Sequence, residues 1–384
     1  MSVLVPPAVI GIVGGGQLGR MLAQVAQRHG YRTAVLTGGG ERSPAGSVAD
    51  IEIAAPFYDA AATRRLVACA DVITWELEDV DLGVADAAAD AGIPVRPRPQ
   101  ALAAAADRAA EKRALIAAGV PVAPYREAGD PSELAAAVAA LDGPVMLKTA
   151  RGGYDGKGQV RLPATGTEPV RAEALTEVFR RLGSVRLIVE REVPFDREVS
   201  VVIARTETGA IADHGVMENA HVDGILDTTT VPARLPEEVT AAALGIAGQV
   251  ARHLDIVGVL CVEMFVVGSE LVVNEIAPRP HNSGHCTIEA AATSQFEQQL
   301  RAVCGLPLGD GTCRPAAMAQ LLGHLWADGE PAWSEALTDP GIHLHLYGKR
   351  EPRPGRKMGH LTCVDATPEL ALKRVFAARD RLSS

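Results

Sequence analysis

The amino-acid sequence predicts an α/β region that passes into an α+β region, in three domains over residues 1–107, 108–306 and 307–384. Three observations lead there. A chain of 384 residues is longer than one hydrophobic core usually fills, which favours two or three units of roughly 100 to 200 residues. Through the first hundred residues, short β-branched runs alternate with alanine-rich helical patterns, the signature of a parallel, Rossmann-like sheet with crossover helices. After the interruption by Pro94, Pro97 and Pro99, strands and helices are mixed, which describes an α+β middle and a small last domain.

In order, 9–13, 33–36 and 71–75 read as strands. Residues 17–28 read as a helix closed by His29-Gly30, and Asp59 suits the start of a helix over 60–69, because its carboxylate can accept the free N–H groups of a first turn. Helical segments are expected over 100–118, ending at Gly119. Asp130-Pro131, a capping residue followed by proline at the first helical position, opens another helix that leads to the strand 145–149. Further strands are expected at 186–190, 199–204, 228–231, 257–267, 271–276 and 342–347, with helices at 173–182, 237–254 and 368–378.

Composition narrows the function. With 47% hydrophobic but only 4% aromatic residues the core is aliphatic, and a net charge of -10 argues against a nucleic-acid partner, which normally requires a basic face. An anionic ligand must then meet a local basic patch. The six cysteines, Cys69, Cys261, Cys286, Cys304, Cys313 and Cys363, include no CxxC pair and read as reduced thiols rather than zinc ligands or disulfides. No basic residue precedes Arg20 and no apolar run reaches membrane-spanning length, so a cytoplasmic protein without a membrane partner is expected.

Five constellations carry chemistry. Gly14-Gly15-Gly16-Gln17-Leu18-Gly19 follows a strand and opens a helix, where free N–H groups can hold an anion; a tight turn with close helix packing is the alternative. A dinucleotide would want an acidic residue after the second strand, and Thr37 with three glycines stands there. Lys148 ends an apolar strand and is followed by Arg151-Gly152-Gly153-Tyr154-Asp155-Gly156-Lys157-Gly158-Gln159, a backbone loose enough to close over phosphates, with lysines for charge. It is not a P-loop, since Arg151 replaces the first glycine of that motif and Gly158 its hydroxyl residue.

Glu263 and Glu275 lie on two strands joined near Gly268-Ser269. A three-residue turn, Gly268 to Glu270, is expected: it sets Val267 against Leu271 and Glu263 opposite Glu275, whereas a two-residue turn would send them to opposite faces. Paired carboxylates on an apolar ribbon repel each other unless a hard dication joins them; magnesium is the functional reading, with Asn274 beside it, and a solvated face the alternative. Arg279-Pro280-His281-Asn282-Ser283-Gly284-His285 crowds donors for a small planar anion, although either histidine alone would also suit the core. Lys349, Arg350, Arg353, Arg356 and Lys357 form a basic cluster fit to dock a substrate phosphate, or a solvated loop.

The segments GGGQLGRM, GGYDGKGQ, VNEIAPRPHNSGH and RPGRKMGHL together resemble the N5-carboxyaminoimidazole ribonucleotide synthetases, ATP-grasp enzymes of purine biosynthesis, over about residues 9–365. The resemblance implies a biotin-carboxylase-like first domain, a central ATP-grasp domain and a homodimer. It implies that ATP meets Arg108, Lys148, Gly153, Tyr154, Asp155, Gly156, Lys157, Gly158, Gln159, Glu190, Arg191, Glu192, Val193, Glu198, His221, Asn274 and Glu275, with Mg2+ on Glu263 and Glu275. It further implies bicarbonate, or the carboxyphosphate made from it, on Arg279, His281 and Asn282, the aminoimidazole on Tyr154 and Asp155, and the ribose phosphate on Gln17, Lys349 and Arg356. Gly15 stands where asparagine occurs in the usual form of that family. Other ATP-grasp ligases, a formate-dependent glycinamide ribonucleotide transformylase or a biotin carboxylase, are the nearest alternatives, followed by a nicotinamide-dependent oxidoreductase and a non-catalytic nucleotide sensor.

Overall fold

The computed structural model describes residues 3–40, 42–153, 155–163 and 172–383. Tyr154, expected at the site, lies outside them.

Four parallel strands, β1 (Val9–Val13), β2 (Arg32–Leu36), β3 (Ile51–Ile53) and β4 (Val72–Trp75), form the first sheet in the order β3-β2-β1-β4. Ile10 through Val13 are all buried, as a parallel strand covered on both faces requires. The crossover helices are Gln17–Arg28 and Ala60–Cys69, and Asp59 caps the second by accepting the N–H groups of Ala61 and Ala62. Leu18, Leu22 and Ala26 of the first helix pack with Phe296, Leu300 and Val303 of the helix Gln295–Val303, which docks this unit on the rest of the chain.

The helical segments expected over 100–118 are two, Pro99–Ala105 and Arg108–Ala117. Asp107 makes the break: its backbone is extended and its carboxylate accepts the N–H groups of Ala109 and Ala110, so a new helix starts there. Arg108 and Lys112, four residues apart, then share one face of the new helix.

The second sheet is antiparallel, with β5 (Tyr125–Ala128), β6 (Val145–Thr149), β7 (Gln159–Leu162) and β8 (Leu187–Arg191) in the order β5-β8-β6-β7. Its apolar side joins Leu147, Leu187 and Val189 to Leu134, Leu175 and Phe179 of two covering helices. The third sheet holds β9 (Arg197–Arg205), β10 (Ile211–Val222), β11 (Ile225–Val231), β12 (Gly258–Val267), β13 (Glu270–Ala277), β14 (Ala316–Leu322), β15 (Ile342–Leu346) and β16 (Lys357–Val364). Their order is β13-β12-β9-β10-β11-β14-β16-β15, so the last stretch of chain extends the same sheet through the β11–β14 pairing. The helix Glu237–His253 closes one face over Val201, Ile203, Leu260 and Val262.

The turn between β12 and β13 differs from expectation. Val267 pairs with Glu270, leaving a two-residue turn of Gly268 and Ser269, and Gly268, at φ 61°, takes the left-handed first position that such a tight hairpin needs. Glu263 nevertheless faces Glu275, because Met264 pairs with Val273 and the register slips between Met264 and Glu263. Asn274 is the extra residue of a β-bulge, and the bulge compensates for the residue missing from the turn.

Candidate active site

The two antiparallel sheets and the end of the parallel sheet enclose a cavity of about 750 Å3. Glu263, Asn274 and Glu275 line it together, since a bulge lets two successive residues of one strand oppose a single partner. From β6, Lys148 places Nζ 2.6 Å from Glu190 Oε2 on β8 and 3.3 Å from Asn274 Oδ1. Lys112 approaches the same carboxylate, 3.1 Å from Oε1, and donates to the Asn274 carbonyl at 2.8 Å. Burial opposes charge on Glu190, but the two ammonium groups hold its pKa down to about 2. The carboxylate is therefore a fixed anion that orients Lys148 toward the cavity.

Arg108 donates to Glu275 Oε2 at 2.9 Å and to the Gly153 carbonyl at 3.2 Å, tying the glycine-rich loop to the β13 carboxylate. Against the cost of burial, this guanidinium and Lys148 depress the Glu275 pKa. Glu263 meets His281 instead, with Oε1 2.8 Å from Nε2. Burial disfavours the imidazolium, yet Cys261 and Glu263 beside it lift the His281 pKa to about 10. His221 on β10 makes a short ion pair with Glu198 on β9.

The loop is closed by contact between glycines. Asp223 (φ 52°) and Gly224 (φ 76°) form a two-residue turn between β10 and β11, and both residues need the left-handed backbone. Gly156 lies on this turn so closely that a Cβ on it would come within 2.8 Å of the Asp223 carbonyl, and one on Gly224 within 2.7 Å of the Gly156 Cα. Asp155 next to it accepts from Lys357 Nζ at 2.6 Å. Met146, Val193, Leu226 and Phe265 give one wall of the cavity an apolar surface, and Phe265 stacks on Phe195 with centroids 4.6 Å apart.

The run Arg279 to His285 is divided by the fold. Arg279 makes a two-point contact with Glu78 beyond β4, at 2.6 and 3.0 Å, and Asn282 Oδ1 accepts from Gln17 Nε2 at 3.2 Å. Both contacts join the parallel-sheet unit to the end of β13. His285, by contrast, is fully buried and stacks on His360 and Phe296. Arg191, Glu192, Lys157 and Gln159 also line the cavity. Gly158, Lys349 and Arg356 do not stand on its wall, although Lys349 lies within electrostatic reach of Glu76, Asp155, Arg356 and Lys357. Burial and the neighbouring Arg356 push the Lys349 pKa down to about 8.

The glycines opening the first helix hold an internal anion. The Glu76 carboxylate accepts from the N–H groups of Gly16 and Leu18 at 3.1 and 3.2 Å, and a Cβ on Gly14 or Gly16 would collide with it. This removes the free N–H groups on which a dinucleotide would depend. Glu76, Glu78, Lys112 and the Lys357–Asp155 pair were not singled out from the sequence. Glu76 and Glu78 stand just past the carboxyl end of a parallel strand, where ligand crevices form, and Lys112 lies one turn after Arg108. Those two signals were available.

The acidic pair suits a hard dication, since both groups offer carboxylate oxygen in one cavity. Among the described residues no helix is long and apolar enough to cross a membrane.

Family models match residues 8–106 (ribonucleotide synthetase preATP-grasp domain), 113–296 (ATP-grasp domain) and 316–374 (phosphoribosylaminoimidazole carboxylase C-terminal domain). The N5-carboxyaminoimidazole ribonucleotide synthase of Brucella melitensis is 45% identical over 364 residues, 94% of this chain and 97% of its own. That of Bacillus subtilis is 42% identical over 366 residues, 94% of this chain and 92% of its own. Among solved structures, an ADP complex of N5-carboxyaminoimidazole ribonucleotide synthetase superposes with a TM-score of 0.89 at 40% identity, covering 100% of this chain and 99% of that one. The Aspergillus clavatus N5-carboxyaminoimidazole synthase in complex with ADP and 5-aminoimidazole ribonucleotide gives 0.87 at 30% identity, covering 98% of each chain.

Proposed function

The chain belongs to the N5-carboxyaminoimidazole ribonucleotide synthase family and is an ATP-dependent ligase of purine biosynthesis that makes N5-carboxyaminoimidazole ribonucleotide from aminoimidazole ribonucleotide; we propose that bicarbonate is its carbon source and carboxyphosphate its intermediate. The observation that carries this reading is the convergence of Lys148, the glycine-rich loop and the Glu263–Glu275 pair on one cavity. When bound between Glu263 and Glu275, Mg2+ would offset charge on the transferred phosphoryl group.

The residues themselves divide the work. Lys148, oriented by Glu190, meets the phosphates of ATP, and Arg108 ties the Gly153 to Gln159 loop down over them. The apolar wall with Val193 and Phe265 takes the adenine ring. A bicarbonate oxygen attacks the γ-phosphorus and ADP leaves, giving carboxyphosphate held by Arg279, His281 and Asn282. Positioning and fixed charge, rather than a protein nucleophile, supply the rate. Carboxyphosphate then breaks into CO2 and phosphate inside the closed cavity, where the loop keeps water from both. The aminoimidazole nitrogen attacks CO2 and gives up a proton; Asp155, held by Lys357, orients that amine and accepts the proton. Gln17, Lys349 and Arg356 hold the ribose phosphate. The protein works in the cytoplasm as a homodimer.

ADP release with each substrate omitted in turn tests the reading. Turnover that requires both bicarbonate and aminoimidazole ribonucleotide is expected. Turnover that requires formate instead would assign the chain to a transformylase.

A further inference from the structure

Cys261 has no part in the chemistry above, yet it lies against it. Cys261 and Glu263 are two residues apart on β12 and so point to the same face of the sheet. The short helical turn Asn282–Cys286 and the His281 that precedes it cover that face. A sulfur, a carboxylate oxygen and an imidazole nitrogen of Cys261, Glu263 and His281 all lie within 4.8 Å of one another. No other such group of three occurs among the described residues.

The chemistry of this trio differs from that of the Glu263–Glu275 pair. Two carboxylates suit a hard ion, whereas thiolate, imidazole and carboxylate are the ligand set of a borderline-soft dication such as zinc. With bonds of about 2.0 to 2.3 Å, a tetrahedral ion separates its ligands by about 3.3 to 3.8 Å, which small side-chain rotations would reach from here. The surroundings are already ordered. Ser283 Oγ lies 2.9 Å from His281 Nδ1 and 3.9 Å from the Cys261 sulfur. Behind it runs a buried chain in which Thr229 donates to Asn219, Asn219 to Ser200 and Ser200 to Ser283, each at 2.9 Å. Such outer contacts fix the ring of a metal-binding histidine. The cavity supplies the entry path, because Glu263 and His281 line it while Cys261 lies wholly buried behind them.

We propose that Cys261, Glu263 and His281 form a second metal site, for a borderline-soft dication represented by zinc, which takes Glu263 away from the magnesium position and so stops turnover when filled. Binding places the cation on the Cys261 thiolate and on a neutral His281 imidazole, so the thiol proton and the imidazolium proton both go to solvent. The effect on turnover rests on the ligase reading above; the existence of the site does not.

Titration with Co2+ in magnesium-free buffer, without any substrate, reads the site directly. One equivalent is expected to give a near-ultraviolet thiolate-to-cobalt charge-transfer band, and Cys261→Ser to abolish it. Cys261→Ala, a second variant that puts no hydroxyl in the buried position, is expected to lose the band too. In the same variants the zinc concentration needed to inhibit, measured against each variant's own turnover in magnesium alone, should rise by about tenfold or more. Absence of the band in the wild-type protein, or an equal band in both variants, would overturn the proposal. Loss of bicarbonate dependence would instead overturn the ligase reading and leave the cobalt spectrum as expected.

Discussion

Asp155 occupies a left-handed backbone position (φ 48°) that aspartate tolerates better than most residues, and its carboxylate is held by Lys357. If it receives the amine proton, Asp155→Asn keeps the shape and hydrogen bond of the side chain but removes the base. A fall in kcat of about 100-fold at saturating substrates is expected, and unchanged turnover would remove the residue from that role. Lys349 offers a titration. Burial and Arg356 bring its pKa to about 8, so the ammonium is present below that pH and lost above it. For the ribonucleotide, kcat/KM should therefore decline above about pH 8 while kcat stays level, and Lys349→Arg, whose charge persists, should flatten the decline. At this scale the sequence revealed residues by type and motif but not by partnership. Lys148 was evident; Lys112, which shares the Glu190 carboxylate with it, was not, because nothing in a helical pattern says that two cations will converge on one anion.

Elements were legible where a period repeats. The first parallel strands and their crossover helices follow from apolar runs and from caps such as Asp59. β10 escaped because Asp213, His214, Glu218, Asn219 and His221 interrupt its apolar alternation, although the Asp-Gly pair at its end is a strong hairpin signal. The β12–β13 hairpin is more instructive. Sequence spacing records only the total number of residues between Glu263 and Glu275, and a longer turn or a short turn with a bulge satisfies the same total. The turn is therefore one residue shorter than the spacing suggests, while Glu263 still pairs with Glu275. The Asp223-Gly224 turn yields a prediction: Gly224→Ala adds a methyl 2.7 Å from the Gly156 Cα at a left-handed position. Strain of about 1–2 kcal/mol is expected, and the loop should be held open, raising the KM for ATP. Urea denaturation and steady-state kinetics check the two effects separately, and an unchanged KM would show that the contact does not govern the loop.

Across the whole molecule the cavity is assembled from all three sheets' neighbourhoods, so ligand binding and folding are linked. A nucleotide that binds only the folded chain stabilises it by about 2.7 kcal/mol at 100 times its Kd. Magnesium and ADP should thus raise the melting temperature of the wild-type protein. In Lys148→Met the rise should largely vanish, as scanning calorimetry would record, and a full rise would place the phosphates elsewhere. The three-part organisation was visible from length and pattern; the continuity of one sheet into the last segment was not, because pairing between β11 and β14 leaves no local trace in either strand. The Arg279–Glu78 clasp has a practical consequence. Anyone who trims the first hundred residues to harvest a minimal nucleotide-holding module would strip a sequestered guanidinium of its counterion and bare the greasy seat of Phe296, leaving a fragment prone to clump.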